Sequence, residues 1–562
     1  MANSGKKVVK QASFLMAAQI TSSVIGLLYR TPLHLIMGDD GDGYYSYAYD
    51  WYAIILIIAS YSIPSAVSKV MAERLARKEY KNAARVFQAA LLFVLIVGGG
   101  ASLFTFFAAP LLLSKQPNAV PALRILAPVI FLSGVLGVFR GFFQAHNKMA
   151  PTAISQILEQ ILNAVFSVVM AYFLTGPYRA SGADSTLIGR YGAAGGTIGT
   201  GAGVVTGLIV ILFVFYANRS FLKRRLREDR SRSTETLWTS LRAILLMVVP
   251  ILLATTVYNM VNVIDQQLYT NLEILRGIDR DAVNRAYGLF GYRCRPIINI
   301  PIAMASATSA ALIPAIATSM AAGRKSEAGE KITECIRFVM FLAIPAATGL
   351  AILSYGVIFI LYPGGDIAGA ARLLTIGAVS VVFYSLSTVS NGVLQGSGHP
   401  MLPVRNTLIA IAVNILSLLL FTGVFRLGVN GLVLSTVVFA VAASVLNLMA
   451  VRKRLSFKTD IRNTFLIPVI SSALMGVVLL VFFWLPKWIL PGFFGHYGGN
   501  VLITGVSVVT GVLSYFIAYV RLSGITEAEL REFPLGGKIV RVLRLLHVPV
   551  RSGKKERAPR LK

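Results

Sequence analysis

Apolar runs of about twenty residues follow one another from end to end of the chain, separated by short polar turns. A helical run of that length, at 1.5 Å per residue, crosses a hydrocarbon core of about 30 Å. The pattern predicts fourteen membrane helices, near residues 11–37, 44–68, 87–113, 121–143, 150–175, 191–217, 240–269, 287–318, 332–361, 368–394, 402–425, 428–450, 461–485 and 498–520. An even number puts both termini on one side.

Lys and Arg set the orientation, because basic residues gather in cytoplasmic loops. Lys69, Arg74, Arg77, Lys78, Lys81 and Arg85 follow the second run. Arg219, Lys223, Arg224, Arg225 and Arg227 follow the sixth, and Arg324, Lys325, Arg452, Lys453 and Arg454 fall on the same side. The opposite loops hold the acidic Asp39-Asp40-Gly41-Asp42. The expectation is a multi-pass plasma-membrane protein with cytoplasmic N- and C-termini.

The pattern also repeats. Gly141-Phe142-Phe143-Gln144 with Pro151 returns as Gly392-Val393-Leu394-Gln395 with Pro403. Ile63-Pro64, Ser68 and Arg74 return as Ile313-Pro314, Thr318 and Arg324, and Gly192, Gly195 and Thr200 return as Gly428, Gly431 and Thr436. The offsets lie between 236 and 252 residues. Runs one to six therefore match runs seven to twelve in the same orientation. Parallel repeats of this kind form two bundles about an axis along the membrane normal, with a site between them. The expected organisation is a first lobe at 1–217, a basic linker at 218–239, a second lobe at 240–450, two extra helices at 451–521 and a basic tail at 522–562. In the tail, Ile539, Val542, Leu543 and Leu546 oppose Lys538, Arg541 and Arg544, as in an amphipathic helix lying on an anionic leaflet.

Composition narrows the function. Only 14% of the 562 residues are charged, against about a quarter in soluble domains. The net charge of +29 suggests a nucleic-acid partner, but the basic residues are confined to short loops, so none is expected. Cys294 and Cys335 are too few for a disulfide framework or metal site. No Gly-x-x-x-x-Gly-Lys loop supplies an ATPase. The chain reads as a transporter and not an enzyme. Gly195, Gly199, Gly203 and Gly207 share one helix face, which lets a neighbouring helix approach closely. Tyr44, Tyr45, Tyr47, Tyr49, Trp51 and Tyr52 at the start of the second run read as an interfacial aromatic belt.

Charges inside apolar runs are the candidate chemistry, since ionisable groups in a membrane survive where they line a cavity or pair. Arg30 sits late in the first run. Arg293 and Arg295 enter the eighth, where Pro296 disfavours regular helix and Asn299 and Pro301 follow. Guanidinium forks suit phosphate oxygens. The alternative is that these arginines reach the headgroups or pair with Asp42, Asp50 or Asp265. Asn259, Asn262 and Gln266 share a face of the seventh run with Asp265 beside them. That carboxylate is a candidate for H+ or Na+ coupling, or the counter-charge of Arg295. Glu159, with Gln156 and Gln160, polarises the fifth run.

These features, with Phe-Phe-Gln-Ala-His-Asn-Lys-Met-Ala-Pro-Thr-Ala-Ile-Ser-Gln-Ile-Leu-Glu-Gln at 142–160, resemble the polysaccharide-transport branch of the multidrug/oligosaccharidyl-lipid/polysaccharide exporter superfamily. Within it, the resemblance is to the Gram-positive group of stage V sporulation protein B and MurJ-type lipid II flippases. It implies an all-α, V-shaped membrane bundle of fourteen helices: two six-helix lobes plus two extra C-terminal helices around a cationic cavity. It implies alternating access to a polyprenyl-pyrophosphate-linked glycan, coupled to membrane potential, H+ or Na+, with no other cofactor. Arg30, Arg293 or Arg295, Asp42, Gln144 and Asn299 are the expected substrate residues. Asp265, Asn262, Asn414 and Thr436 are the expected coupling-ion residues. Membrane lipids and the cell-wall synthesis machinery are the implied partners. A flippase for a capsule or teichoic-type precursor, a drug/cation antiporter and a non-transporting scaffold are the rival functions.

Overall fold

The structure is a computed structural model. It describes residues 21–523 except 62, 221–225, 230, 232, 456–459, 490, 491 and 493–495, together with positions 18, 527, 540 and 541. Most of the predicted amphipathic tail helix lies outside the described residues.

Every long element is α-helical, as uninterrupted apolar runs require in lipid, where each backbone N–H needs a partner within its own segment. Among the described residues, eleven helical stretches are long and apolar enough to cross a membrane. There are twelve when Leu237–Leu275, bent by 45° between Val249 and Leu252, counts as one span. One of these stretches, Arg30–Ala76, contains two helices that meet at a kink at Gly38. The described end of the first expected span, helical over 21–28, leads into α1 (Arg30–Leu56). α1 then continues through a π-helical turn into α2 (Ile63–Ala76). The first and second expected spans are divided at Gly38, whose φ of 67° suits glycine. The expected eighth span is helical throughout, with a π-helical turn at Leu289–Cys294.

The first set of helices continues with α3 (Tyr80–Phe93), α4 (Gly99–Leu112), α5 (Val120–Ala145), α6 (Ala150–Ala180) and α7 (Ser185–Ala217). The second set begins with α8 (Leu237–Leu275), α9 (Arg280–Gly288) and α10 (Arg295–Ala321), the last two joined by a π-helical turn at Leu289–Cys294. It continues with α11 (Lys325–Ile352), α12 (Ser354–Leu361), α13 (Ile367–Gly396), α14 (Met401–Leu418) and α15 (Val429–Leu455). α16 (Ile467–Leu479) and α17 (Tyr497–Ser523) pack on each other, and α16 also packs against α11.

The backbone carries the repeat as well as the sequence does. Left-handed turns follow α2 at Lys78, α5 at Asn147 and α6 at Gly182. They recur after α10 at Gly323, after α13 at Gly398 and after α14 at Gly428. The glycine face of α7 does what its spacing predicts. A Cβ on Gly195 would lie 2.5 Å from the Ala171 backbone, one on Gly199 2.1 Å from Ser167 Oγ, and one on Gly203 2.5 Å from the Glu159 carbonyl. Helices α6 and α7 are thus in backbone contact.

Candidate functional site

Residues 30–50 meet residues 266–295 along a polar seam at the end of the bundle that bears Asp39–Asp42. Gly43 permits the approach: its Cβ would fall 2.4 Å from the Asn284 carbonyl. Asn284 Nδ2 donates to the Asp40 carbonyl at 2.9 Å, and Arg285 pairs with the Asp40 carboxylate at 3.2 Å. Tyr44 donates to Asp281 at 3.0 Å. Tyr47 meets Thr270, and its ring lies 4.7 Å from that of Tyr287.

Two arginines of the second set dominate this seam. Arg293 lies in the π-helical turn and is fully buried; its Nε donates to Asp42 at 2.8 Å and its Nη2 to Asp39. His34 Nδ1 lies 3.0 Å from the same Asp42 oxygen and 3.1 Å from the other. Arg295, at the start of α10, holds Asp50 at 2.7 Å and Tyr287 Oη at 3.2 Å. Tyr287 also donates to Asp50. Pro296 sits in the first turn of α10, where a missing N–H breaks no helical bond. The widened turn aims side chains two residues apart at carboxylates eight residues apart on α1.

Arg295 is also the head of a cavity of about 460 Å³ within the second set. One part of its wall is neutral and polar, with Asn259, Asn262, Asn299, Asn391, Gln395 and Thr436 and with Tyr258 and Tyr384 among them, and another, with Phe290, Ile298 and Ile302, is apolar. Arg295 is the only charged residue of the lining among the described residues. Along α10 the lining runs to Ser309, fourteen residues or about 21 Å at the helical rise. Beside the cavity, Asp265 is buried. One of its oxygens accepts from Thr436 at 3.4 Å; among the described residues the other has no partner, and neither has the buried Asn414 carbonyl oxygen.

The opposite face of α10 is apolar. Ile297, Ile300 and Pro301 form one wall of a groove of about 390 Å³, closed by Leu342 and Leu350 of α11 and by Tyr515 and Phe516 of α17. Helix α10 therefore separates a polar cavity from an apolar groove at the same height.

The structure distributes the predicted site residues over three places. Arg295, Asn299, Asn262 and Thr436 line the cavity, and Asp265 and Asn414 adjoin it. Arg293 and Asp42 form the seam. Arg30 stands apart from the cavity lining: its Nη1 donates to the Tyr292 carbonyl at 3.0 Å, and its guanidinium lies 4.8 Å from the Tyr292 ring and 5.7 Å from that of Tyr45. Gln144 is half-buried outside that lining, whereas its repeat counterpart Gln395 is within it. The arginine–carboxylate alternative holds for Arg293 and Arg295. The aromatic-belt reading is overturned: Tyr44, Tyr45, Tyr47 and Tyr52 are buried, because the seam covers them. The sequence reading missed Tyr258, Tyr384 and Asn391; the Gly392 motif beside Asn391 was the available signal.

The chain matches the family described as "Polysaccharide biosynthesis protein" over residues 8–320 and that described as "MatE" over residues 294–420. Lipid II flippase MurJ of Bacillus subtilis (strain 168) is 24% identical over 556 residues, covering 94% of this chain and 98% of the relative. Stage V sporulation protein B of the same organism is 23% identical over 464 residues, covering 81% and 85%. Among solved structures, lipid II flippase MurJ in an inward closed conformation superposes with a TM-score of 0.62 at 15% identity, covering 90% of this chain and 97% of that one. An inward-facing multidrug resistance MATE family transporter gives 0.60 at 16% identity, covering 80% and 98%. Both likenesses are of fold.

Proposed function

Because the chain belongs to the polysaccharide biosynthesis protein family, within the multidrug/oligosaccharidyl-lipid/polysaccharide exporter superfamily, we propose that it is a flippase. Its substrate on this reading is undecaprenyl-pyrophosphate-linked peptidoglycan precursor, lipid II, carried from the inner to the outer leaflet by alternating access. The observation that carries this is α10, with a polar cavity headed by a cation on one face and an apolar groove on the other. A lipid-linked polar substrate needs both environments at one depth. The headgroup occupies the cavity, its amides and hydroxyls meeting Asn259, Asn262, Asn299, Asn391 and Gln395, and the polyprenyl chain lies in the groove beside α16 and α17.

In this scheme fourteen helices form two six-helix lobes and an extra pair, with cytoplasmic termini, and the Arg293–Asp42 seam closes the outer side. The diphosphate draws Arg295 away from Asp50. Arg30, which has a carbonyl and two aromatic rings as neighbours and no carboxylate partner among the described residues, receives the phosphate from the other lobe as the seam parts. Asp265, Asn262, Asn414 and Thr436 hold a coupling Na+ or proton. Lipid II exposure on the outer face of cells depleted of other flippases tests the scheme. Arg295→Ala and Arg30→Ala are each expected to lower it at least tenfold, and wild-type exposure in both variants overturns the phosphate role.

A further inference from the structure

At the end of the bundle opposite the seam, the turn from α13 to α14 and the last turn of α15 enclose a pocket of about 550 Å³. It is separate from the cavity and the groove. Arg405 and Arg454 line it with His399, and no Asp or Glu among the described residues does. Both arginines are exposed, and neither has a carboxylate partner among the described residues. Helix α14 begins at this pocket with Met401, so the positive end of its dipole faces the same space. Three sources of positive potential with no counter-charge describe a receptor for an anion.

The rest of the lining identifies the kind of anion. Met401, Leu402 and Leu408 complete it. Met401 and Leu408 are more than half exposed, and Ile409 and Leu416 carry the same exposed apolar face along α14. Asn406, Thr407 and Asn414 occupy the buried face. The exposed face is the one that meets acyl chains, and the pocket stands where that face ends and the basic turn begins. A soluble phosphate would leave the apolar half of the pocket empty. A phospholipid fills both halves.

We propose that this pocket holds the headgroup phosphate of an anionic membrane phospholipid. Arg405 and Arg454 hold the phosphate oxygens, and one acyl chain lies along Met401 and Leu408. The neighbour of Arg454 at the end of α15, Leu455, is buried and anchors that turn beside the pocket. Basic pockets between membrane helices bind lipid headgroups by this combination of fixed charge and adjoining apolar surface.

The test is native mass spectrometry of the full chain in detergent, titrated in separate arms with phosphatidylglycerol, phosphatidylcholine and undecaprenyl diphosphate. Wild type is expected to bind phosphatidylglycerol at least tenfold more tightly than phosphatidylcholine. Arg405→Gln/Arg454→Gln is expected to lose that preference while keeping wild-type binding of undecaprenyl diphosphate and an unchanged thermal midpoint. Arg405→Lys/Arg454→Lys, which retains the charge, is expected to restore most of it. Equal binding of the two phospholipids by wild type overturns the proposal. So does an undiminished preference in the glutamine variant. A parallel loss of undecaprenyl diphosphate binding overturns it too, by assigning the pocket to the transport route.

Discussion

A guanidinium closed off from water between two carboxylates cannot lose one side of the arrangement cheaply. Arg293 is fully buried against the equally buried Asp42, with Asp39 28% exposed beyond it, so truncating it strands the Asp42 charge where little water reaches. Removing one partner of a buried pair costs about 3–5 kcal/mol. Arg285, 45% exposed against Asp40, sits in the range of surface pairs worth about 0–1 kcal/mol. Arg293→Ala is therefore expected to lower the thermal midpoint in detergent by several degrees, and Arg285→Ala by little. Equal shifts would mean that the Arg293 network is solvated. At this scale the sequence shows which residue types must interact but not which pairs form. Asp42, Asp50 and Asp265 are all visible as counter-charges for Arg293 and Arg295. The choice among them depends on a contact between segments about 250 residues apart, and on a π-helical turn that no local pattern announces. The tyrosines of α1 failed for the same reason: an amphipathic ring suits a membrane interface and a polar seam equally.

Helices were the most legible level, because lipid forces periodicity and length on the chain. The glycine face of α7 was read correctly from spacing alone, since close backbone approach is a local property of small residues. Gly199→Leu is expected to abolish the monodisperse folded peak in size-exclusion chromatography, because the first added carbon already lies 2.1 Å from Ser167 Oγ. Gly176→Leu on α6, where a Cβ meets nothing within 4 Å, should leave the peak intact. The basic linker was legible only as charge, yet it is docked. Asn82 bridges the Ser233 carbonyl and the Glu235 N–H, and Arg74 pairs with Glu235 at 2.8 Å. Asp229 accepts from the Lys81 N–H at 2.9 Å and from Ser231. Burial disfavours the Asp229 charge, but these bonds and the Lys81 ammonium outweigh it, so its pKa lies below the usual carboxylate value. A lowered folded pKa stabilises docking above the unfolded value of about 3.9, and that contribution fades as pH falls through the lower folded one. Pepsin cleavage within 218–239 should accordingly rise steeply below about pH 4. In Asp229→Asn the pH step should be absent; an unaltered step would place the titration elsewhere.

The whole molecule adds what neither residues nor helices contain, namely which surfaces are closed in this conformation. The repeat was visible in sequence, and paired left-handed turns at Lys78 and Gly323, Asn147 and Gly398, and Gly182 and Gly428 carry it into the backbone. On the proposed alternating access, the seam must part. Ser46 of α1 and Gly291 of the π-helical turn offer a direct test, because a Cβ on Gly291 would lie 3.0 Å from the Ser46 Cβ. A disulfide prefers about 3.5–4.5 Å between such atoms, so a few tenths of an ångström of relaxation admits one. In a background with Cys294 and Cys335 replaced by serine or alanine, Ser46→Cys/Gly291→Cys should form this bond on mild oxidation. Translocation should then stop, and a thiol reductant should restore it. Each single-cysteine variant should continue to transport under oxidant, which separates locking from chemical damage. Headgroup binding to the locked protein should persist, because the cavity below Arg295 lies within the second set of helices and does not depend on the seam opening. Full translocation by the quantitatively cross-linked protein would show that substrate crosses without the seam parting, and alternating access through it would have to be abandoned.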